Sequence, residues 1–299
     1  MTDSKRGNFS KRNVTNDLSG KEWMKLSSSI HEINEDDFEH ILDNYLRELK
    51  TTSYPTRGVN SIAHEIRSKH PSPKPPQLFI ELISLLSRKG DIILDPFVGS
   101  GSSLIASTLT DRIGIGIDLN ASYKELYFEA CKSLGIQTEK YLIGNACDDK
   151  VYADIDYVVD LIICDPPYGN MMSRNKTGTV KYEKGYNPTP FTNNKLEDLG
   201  NLDLIEFFPK LKKSIETSST FLKHGGYIVL FMKDLQPSNN YHGMLHADVV
   251  KKISEIENVS YRGMKIWYNK SAKLFPYGYP FSYVSNQMHQ FILIFRKDK

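Results

Sequence analysis

Apolar residues recur along this chain with two periods, and the periods alternate. Short apolar runs stand at Asp91–Asp95, Ile113–Asp118 (IGIGID), Tyr141–Ile143, Val158–Cys164 (VVDLIIC), Tyr227–Met232 (YIVLFM), Tyr261–Tyr268 and Gln290–Phe295 (QFILIF). Their length and β-branched content predict strands. Between them, Ser102–Leu109, Tyr123–Leu134, Leu202–Leu222 and His242–Ile256 repeat their apolar positions every three to four residues, which predicts helices. Ahead of the first strand, a helix is expected from near Pro76 to Gly90, because proline suits a first turn and glycine a stop. Ile33, Phe38, Ile41, Leu42, Tyr45, Leu46 and Leu49 lie near helical spacing, with Asn34 as a candidate cap. The βαβα rhythm predicts an α/β fold of the Rossmann-like type, with a mostly parallel sheet covered by helices on both faces. Residues 1–20 are polar and are expected to be a disordered tail, followed by a helical extension over 21–60 and one large domain over 61–299. Two stretches break the rhythm, at about 169–200 and 269–288. In open α/β sheets, function gathers in such loops at the carboxyl ends of strands.

Composition narrows the field without naming a chemistry. The 299 residues are 39% hydrophobic and 25% charged, ordinary values for a soluble globular chain. No apolar run reaches the ~18 residues of a membrane span, and the N-terminus lacks an apolar signal region. A cytoplasmic protein is expected. Cys131, Cys147 and Cys164 are widely spaced and form no Cys-x-x-Cys or Cys/His cluster, so reduced thiols and no metal site are expected. The net charge of +2 is unevenly divided: residues 1–170 hold 19 Lys+Arg against 25 Asp+Glu, and residues 171–299 hold 19 against 11. A basic half can face phosphate, or can simply be solvated.

Asp95-Pro96-Phe97-Val98-Gly99-Ser100-Gly101 follows the first strand of the alternating region and opens a helix near Ser102. Two glycines allow a tight turn and close approach of backbone to a ligand. A dinucleotide fingerprint would place a third glycine where Leu104 stands, which disfavours a nicotinamide cofactor. Asp118 ends the next strand, where an acid can accept hydrogen bonds from two ribose hydroxyls. Gly144-Asn145-Ala146-Cys147-Asp148 follows the third strand, where Asn145 or Asp148 is suited to bond the edge of an adenine and the backbone between them, at Ala146, to line its ring. After the fourth strand comes Asp165-Pro166-Pro167-Tyr168-Gly169, in which two prolines stiffen the backbone and remove its N–H donors. What remains is a rigid loop presenting one carboxylate and carbonyl oxygens.

The order of these motifs resembles the amino-methylating DNA methyltransferases, within the class I S-adenosylmethionine-dependent family. DPFVGSG is similar to that family's cofactor loop. His70–Pro76 (HPSPKPP) resembles its H-P-x-K-P-P segment, and His289–Lys297 (HQFILIFRK) its last strand. The likeness is strong over residues 64–170 and moderate over 220–297. Asn145 departs from it, since an aspartate is common there. The resemblance implies a seven-stranded class I methyltransferase fold and S-adenosylmethionine as cofactor. It implies cofactor contacts from Asp95, Pro96, Phe97, Gly99, Gly101, Ser102, Asp118, Asn145 and Ala146, and from Lys74 and Pro75 upstream. Asp165, Pro166, Pro167 and Tyr168 then form the catalytic loop. An exocyclic amino group is a poor nucleophile because its lone pair is delocalised into the ring. Hydrogen bonds to the Asp165 carboxylate and the Pro166 carbonyl favour a more tetrahedral nitrogen, and Tyr168 offers a stacking face. A covalent route through cysteine is not expected, because Cys164 lies within an apolar strand.

Such a pocket requires the base to leave the duplex. Arg174, Lys176, Lys181 and Lys184, with Lys195 and the interleaved Tyr182, Tyr186 and Phe191, fit a loop that grips phosphate over an extruded base. DNA is the expected partner, adenine N6 before cytosine N4, with restriction–modification and a cognate nuclease as a possible setting. Three alternatives stay open: a guanine-N2 methyltransferase of transfer RNA, a methyltransferase for protein or small molecules, and an inactive nucleic-acid-binding module.

Overall fold

The computed structural model describes residues 8–31, 62–171, 190–192, 196–237, 241–268, 274, 276 and 279–298. The helices are α1 (Gly20–Leu26), α2 (Ile62–Arg67), α3 (Pro76–Leu86), α4 (Ser102–Leu109), α5 (Ala121–Leu134), α6 (Leu204–Thr220) and α7 (Leu245–Ile253). The strands are β1 (Ile30–His31), β2 (Ile92–Asp95), β3 (Ile113–Asp118), β4 (Lys140–Ile143), β5 (Val159–Cys164), β6 (Leu222–Met232), β7 (Val259–Tyr268) and β8 (His289–Lys297). They form one sheet in the order β1-β7-β8-β6-β5-β2-β3-β4. β8 runs antiparallel to both its neighbours, and every other pairing is parallel. This is the Rossmann-like class I methyltransferase fold expected from the sequence, with one correction: the sheet has eight strands, not seven. The extra one is the two-residue β1, which pairs Ile30 with Ile266 and His31 with Trp267 at the edge.

Strand alternation builds two cores. In β5, Leu161 and Ile163 face one layer while Ile162 and Cys164 face the other. The first layer is closed by α3, α4 and α5 through Leu78, Ile80, Ile105 and Tyr127, all fully buried. The second is closed by α6 and α7 through Phe207, Leu211, Val249 and Ile253. Burying both faces explains why these strands read as continuous apolar runs.

The helices end where local chemistry stops them. α3 begins behind Pro75 and ends at Leu86, four residues before the expected Gly90, because Ser87 turns to an extended backbone. Asn120 caps α5 by accepting from Ser122 N–H, and Gly135 ends it in the left-handed conformation. Asp203 caps α6 through Ile205 and Glu206 N–H.

The expected disorder over residues 1–20 does not hold for residues 8–20. Asn13 accepts from Thr15 and Asn16 N–H, Asn16 donates to the Leu85 carbonyl, and Arg88 donates to the Asn13 carbonyl. Ser19 and Glu22 form a capping box for α1. Polar side chains order this segment, so it leaves no apolar period. The helix expected around Asn34 and Leu49 lies outside the described residues. No helix among the described residues is long and apolar enough to cross a membrane. All three cysteines are free.

The chain runs outward through β2, β3 and β4, then returns to the other side of β2 as β5. The sheet therefore switches direction between β2 and β5, and the carboxyl ends of these two strands open a crevice. β2 delivers Asp95 there, and β5 delivers Asp165.

Candidate active site

The crevice holds a cavity of about 270 Å³. Its wall combines Asp95–Ser100 after β2, Asp118 and Leu119 after β3, Gly144–Ala146 after β4 and Asp165–Tyr168 after β5. The four loops that the motifs single out therefore converge on one space.

The glycine loop is held from several sides. Gly99 and Gly101 both have positive φ, at 50° and 81°. A Cβ on Gly101 would stand 2.2 Å from Tyr127, and one on Gly99 would stand 2.9 Å from His70 Nε2. Tyr141 donates its hydroxyl to the Gly99 carbonyl at 2.7 Å. Asp118 accepts Gly99 N–H through Oδ2 at 2.9 Å and Asn120 N–H through Oδ1 at 2.8 Å. Burial nevertheless pushes its carboxyl up to about 6. Asp95 is more enclosed. It accepts Phe97 N–H at 2.9 Å and the Ser103 hydroxyl, yet burial raises it to about 7.

His70, in the same segment as Lys74, also lines the cavity. Its Nδ1 accepts Ser72 N–H, and its ring meets Tyr123 edge-on at 4.4 Å. Burial, with the cations of Arg67 and Lys74 nearby, pushes it down to about 3, so the ring is neutral.

Asp165 sits at the cavity with both carboxylate oxygens engaged. Lys74 Nζ reaches Oδ2 at 2.5 Å, and the Tyr168 hydroxyl donates to Oδ1. Lys74 Nζ also lies 3.5 Å from Tyr168 Oη. Lys233, just past β6, lines the same space, and burial lowers its ammonium, with Lys74 adding to the shift. Cys164 is fully buried, and burial raises its thiol well above the ordinary range, as befits a core residue.

The expected residues thus divide. Lys74, Asp95, Pro96, Phe97, Gly99, Ser102, Asp118, Asn145, Ala146, Asp165, Pro166, Pro167 and Tyr168 line the cavity. Gly101 and Pro75 do not. Gly101 packs on Tyr127 behind the loop, and Pro75 precedes α3. Arg174, Lys176, Lys181 and Lys184 lie outside the described residues. Sequence reasoning missed a flap made by Phe191, Thr192 and Glu197–Leu199. The Phe191 carbonyl accepts from Asn120 Nδ2 at 3.0 Å and from Tyr123 Oη at 2.8 Å, while Thr192 donates to Asp198 at 2.5 Å. Lys233 and Gln290 were missed as well. The position of Lys233 at the carboxyl end of a strand beside the switch point was the available signal.

The cofactor implied by the resemblance is S-adenosylmethionine, and the donor set fits it. Asp118 keeps acceptor capacity for a ribose diol, Leu119 and Ala146 offer apolar surface beside Asn145, and the far end of the cavity reaches Asp165.

The DNA methylase family matches over residues 4–129. The type II methyltransferase M.HpaI of Haemophilus parainfluenzae is 45% identical over 67 residues, 22% of this chain and 21% of the relative. The tRNA (guanine(10)-N2)-dimethyltransferase of Methanothermobacter thermautotrophicus is 34% identical over 118 residues, 39% of this chain and 33% of the relative. Among solved structures, TrmN from Thermus thermophilus superposes with a TM-score of 0.46 at 16% identity, covering 74% of this chain and 48% of that one. The chain spans about a fifth to a third of the length of these curated relatives. It resembles the amino-methylating DNA methyltransferases, and S-adenosylmethionine is the cofactor of that class.

Proposed function

We propose that the protein is a DNA methyltransferase acting on an exocyclic amino group, adenine N6 before cytosine N4, in restriction–modification or DNA marking. The observation that carries this reading is Asp165-Pro166-Pro167-Tyr168 lining the same cavity as Asp118 and the glycine loop. Bound S-adenosylmethionine supplies an electrophilic methyl carbon. The chain's own residues do the rest. Asp118 and the Asn145–Ala146 turn hold the adenosine part. Asp165 and the Pro166 carbonyl accept the two amino hydrogens of the base, which localises the nitrogen lone pair. Tyr168 stacks on the ring, and the rigid di-proline backbone fixes the geometry, so positioning and electrostatics supply most of the rate. The preference for adenine rests on the aspartate that opens the motif, a feature that resembles adenine enzymes more than cytosine ones.

DNA reaches this cavity as an extruded base. The basic stretch from Arg174 to Lys184 and the segment 269–288 are read as its contacts. Tyr279, Phe281 and Tyr283 support the second part. They follow β7 on the sheet edge that carries Asp165, and their exposures are 81%, 92% and 92%. Aromatic rings so exposed suit stacking on unpaired bases.

A second reading has its own support: the 118-residue match to a guanine-N2 enzyme of transfer RNA. That substrate is also an exocyclic amine, and the same site would grip it. Tritiated methyl transfer to unmethylated DNA and to RNA, followed by nucleoside analysis, separates the two. Label in N6-methyladenine or N4-methylcytosine supports the DNA reading; label confined to N2-methylguanine of RNA replaces it.

A further inference from the structure

Lys74 belongs to a segment that the resemblance assigns to the cofactor, yet its ammonium points elsewhere. It is 7% exposed and lies 2.5 Å from Asp165 Oδ2. That oxygen is the acceptor which the proposed reaction offers to the amino group of the base. A lysine N–H therefore already donates to an oxygen that the proposed reaction offers to a substrate N–H.

The placement is built rather than incidental. Pro73 and Pro75 flank Lys74 and stiffen its backbone. Its carbonyl accepts from Ser102 Oγ at 2.6 Å and from Arg67 Nη2. Arg67 is itself 1% exposed and also donates to Ser102 Oγ at 2.6 Å. The side chain is thus launched from a fixed point and has few ways to reach solvent. Next to its ammonium lies a second acceptor, Tyr168 Oη at 3.5 Å, with the Tyr168 ring centroid at 5.7 Å. Tyr168 donates to Asp165 Oδ1 and already lies within reach of the Lys74 ammonium as an acceptor.

We propose that Lys74 is a positioning residue for amino-group methylation: its ammonium holds the Asp165 carboxylate in place and yields Oδ2 to the incoming amino group by shifting toward Tyr168. The proposal rests on the function above. It follows from charge as well as geometry. An unpaired carboxylate in a part-buried site is costly, so a counter-ion is needed while the site has no base. The same cation is repelled from Oδ2 once a base donates there: the nitrogen gains positive charge as its bond to the methyl carbon forms and the sulfur–methyl bond breaks, its electron pair staying on sulfur, until the nitrogen sheds one N–H proton to solvent. Its exchange for a substrate N–H replaces one donor by another at a single acceptor.

The test combines turnover, binding and melting of the full chain. Lys74→Met is expected to lower kcat by about tenfold or more while leaving KM for DNA unchanged or lower, since the competing donor is gone. Affinity for S-adenosylhomocysteine, read by calorimetry, stays within about twofold. Lys74→Arg recovers a large part of kcat. Lys74→Met combined with Asp165→Asn is no less stable than Asp165→Asn alone, because the pair is already broken. A loss of S-adenosylhomocysteine affinity with unchanged kcat would return Lys74 to a cofactor role and overturn the proposal. Additive losses of melting temperature would overturn it too, without any turnover measurement. A wild-type protein that transfers no methyl to DNA but shows coupled melting would instead count against the proposed substrate.

Discussion

Asp95 and Asp118 close β2 and β3, and backbone N–H groups of the loops after each strand donate to both. Their raised values, about 7 and about 6, come first from burial and have different consequences. Asp118 faces the cavity, and the proposed ribose contact uses its ionised form. Affinity for S-adenosylhomocysteine is therefore expected to be flat at high pH and to fall as pH drops through about 6, approaching about tenfold per unit. Calorimetry across that range checks it, and a flat profile to pH 5 would remove Asp118 from the diol contact. Asp95 is tied up by Ser103 and Phe97. Its folded value lies above the unfolded one, so the folded state holds the extra proton between about 4 and 7, and stability declines as pH rises through that window. Asp95→Asn removes the cost of burying the charge. The variant is expected to melt higher than wild type at pH 8 and to lose that advantage by about pH 5. An advantage independent of pH would point to packing instead.

At the scale of elements, the motif loops were legible because each couples a distinctive local chemistry to a strand end. Asp-Pro-Phe-Val-Gly-Ser-Gly and Asp-Pro-Pro-Tyr fall where apolar runs stop, and the structure brings both to one cavity. The flap around Phe191 was read only as an aromatic in a basic stretch. Its place over Asn120 and Tyr123 depends on a contact about 70 residues away in sequence, which no local pattern records. The two-residue β1 was invisible for a related reason: two residues carry no period. The loop after β7 carries the exposed rings of Tyr279, Phe281 and Tyr283. Phe281→Ser with Tyr283→Ser is expected to weaken DNA binding by about tenfold or more, at about 1–3 kcal/mol per stacked base, with S-adenosylhomocysteine affinity unchanged. Fluorescence anisotropy on labelled duplex measures it. Unchanged DNA affinity would make these rings ordinary surface.

On the scale of the whole molecule, alternation of strand and helix made the doubly wound sheet readable, while sheet order was not. The reversal between β2 and β5 and the antiparallel β8 arise from packing both faces at once. That order sets the site, because only adjacent carboxyl ends of β2 and β5 bring the glycine loop beside Asp165. Charge is divided on the same scale, with 19 Lys+Arg against 11 Asp+Glu in residues 171–299. DNA affinity should fall steeply with salt, with a slope of about −0.9 for each phosphate neutralised on duplex DNA. A titration between low and physiological salt reads this directly, and a flat response would contradict phosphate contacts.

In the proposed reaction Asp165 grips an amino group for methylation. The most direct test is tritiated methyl transfer to unmethylated DNA by wild type and by Asp165→Ala, with S-adenosylhomocysteine affinity measured in parallel. Wild type is expected to transfer methyl, and the variant to lose about a hundredfold or more while keeping S-adenosylhomocysteine affinity within about threefold. Turnover that survives in Asp165→Ala would contradict this role.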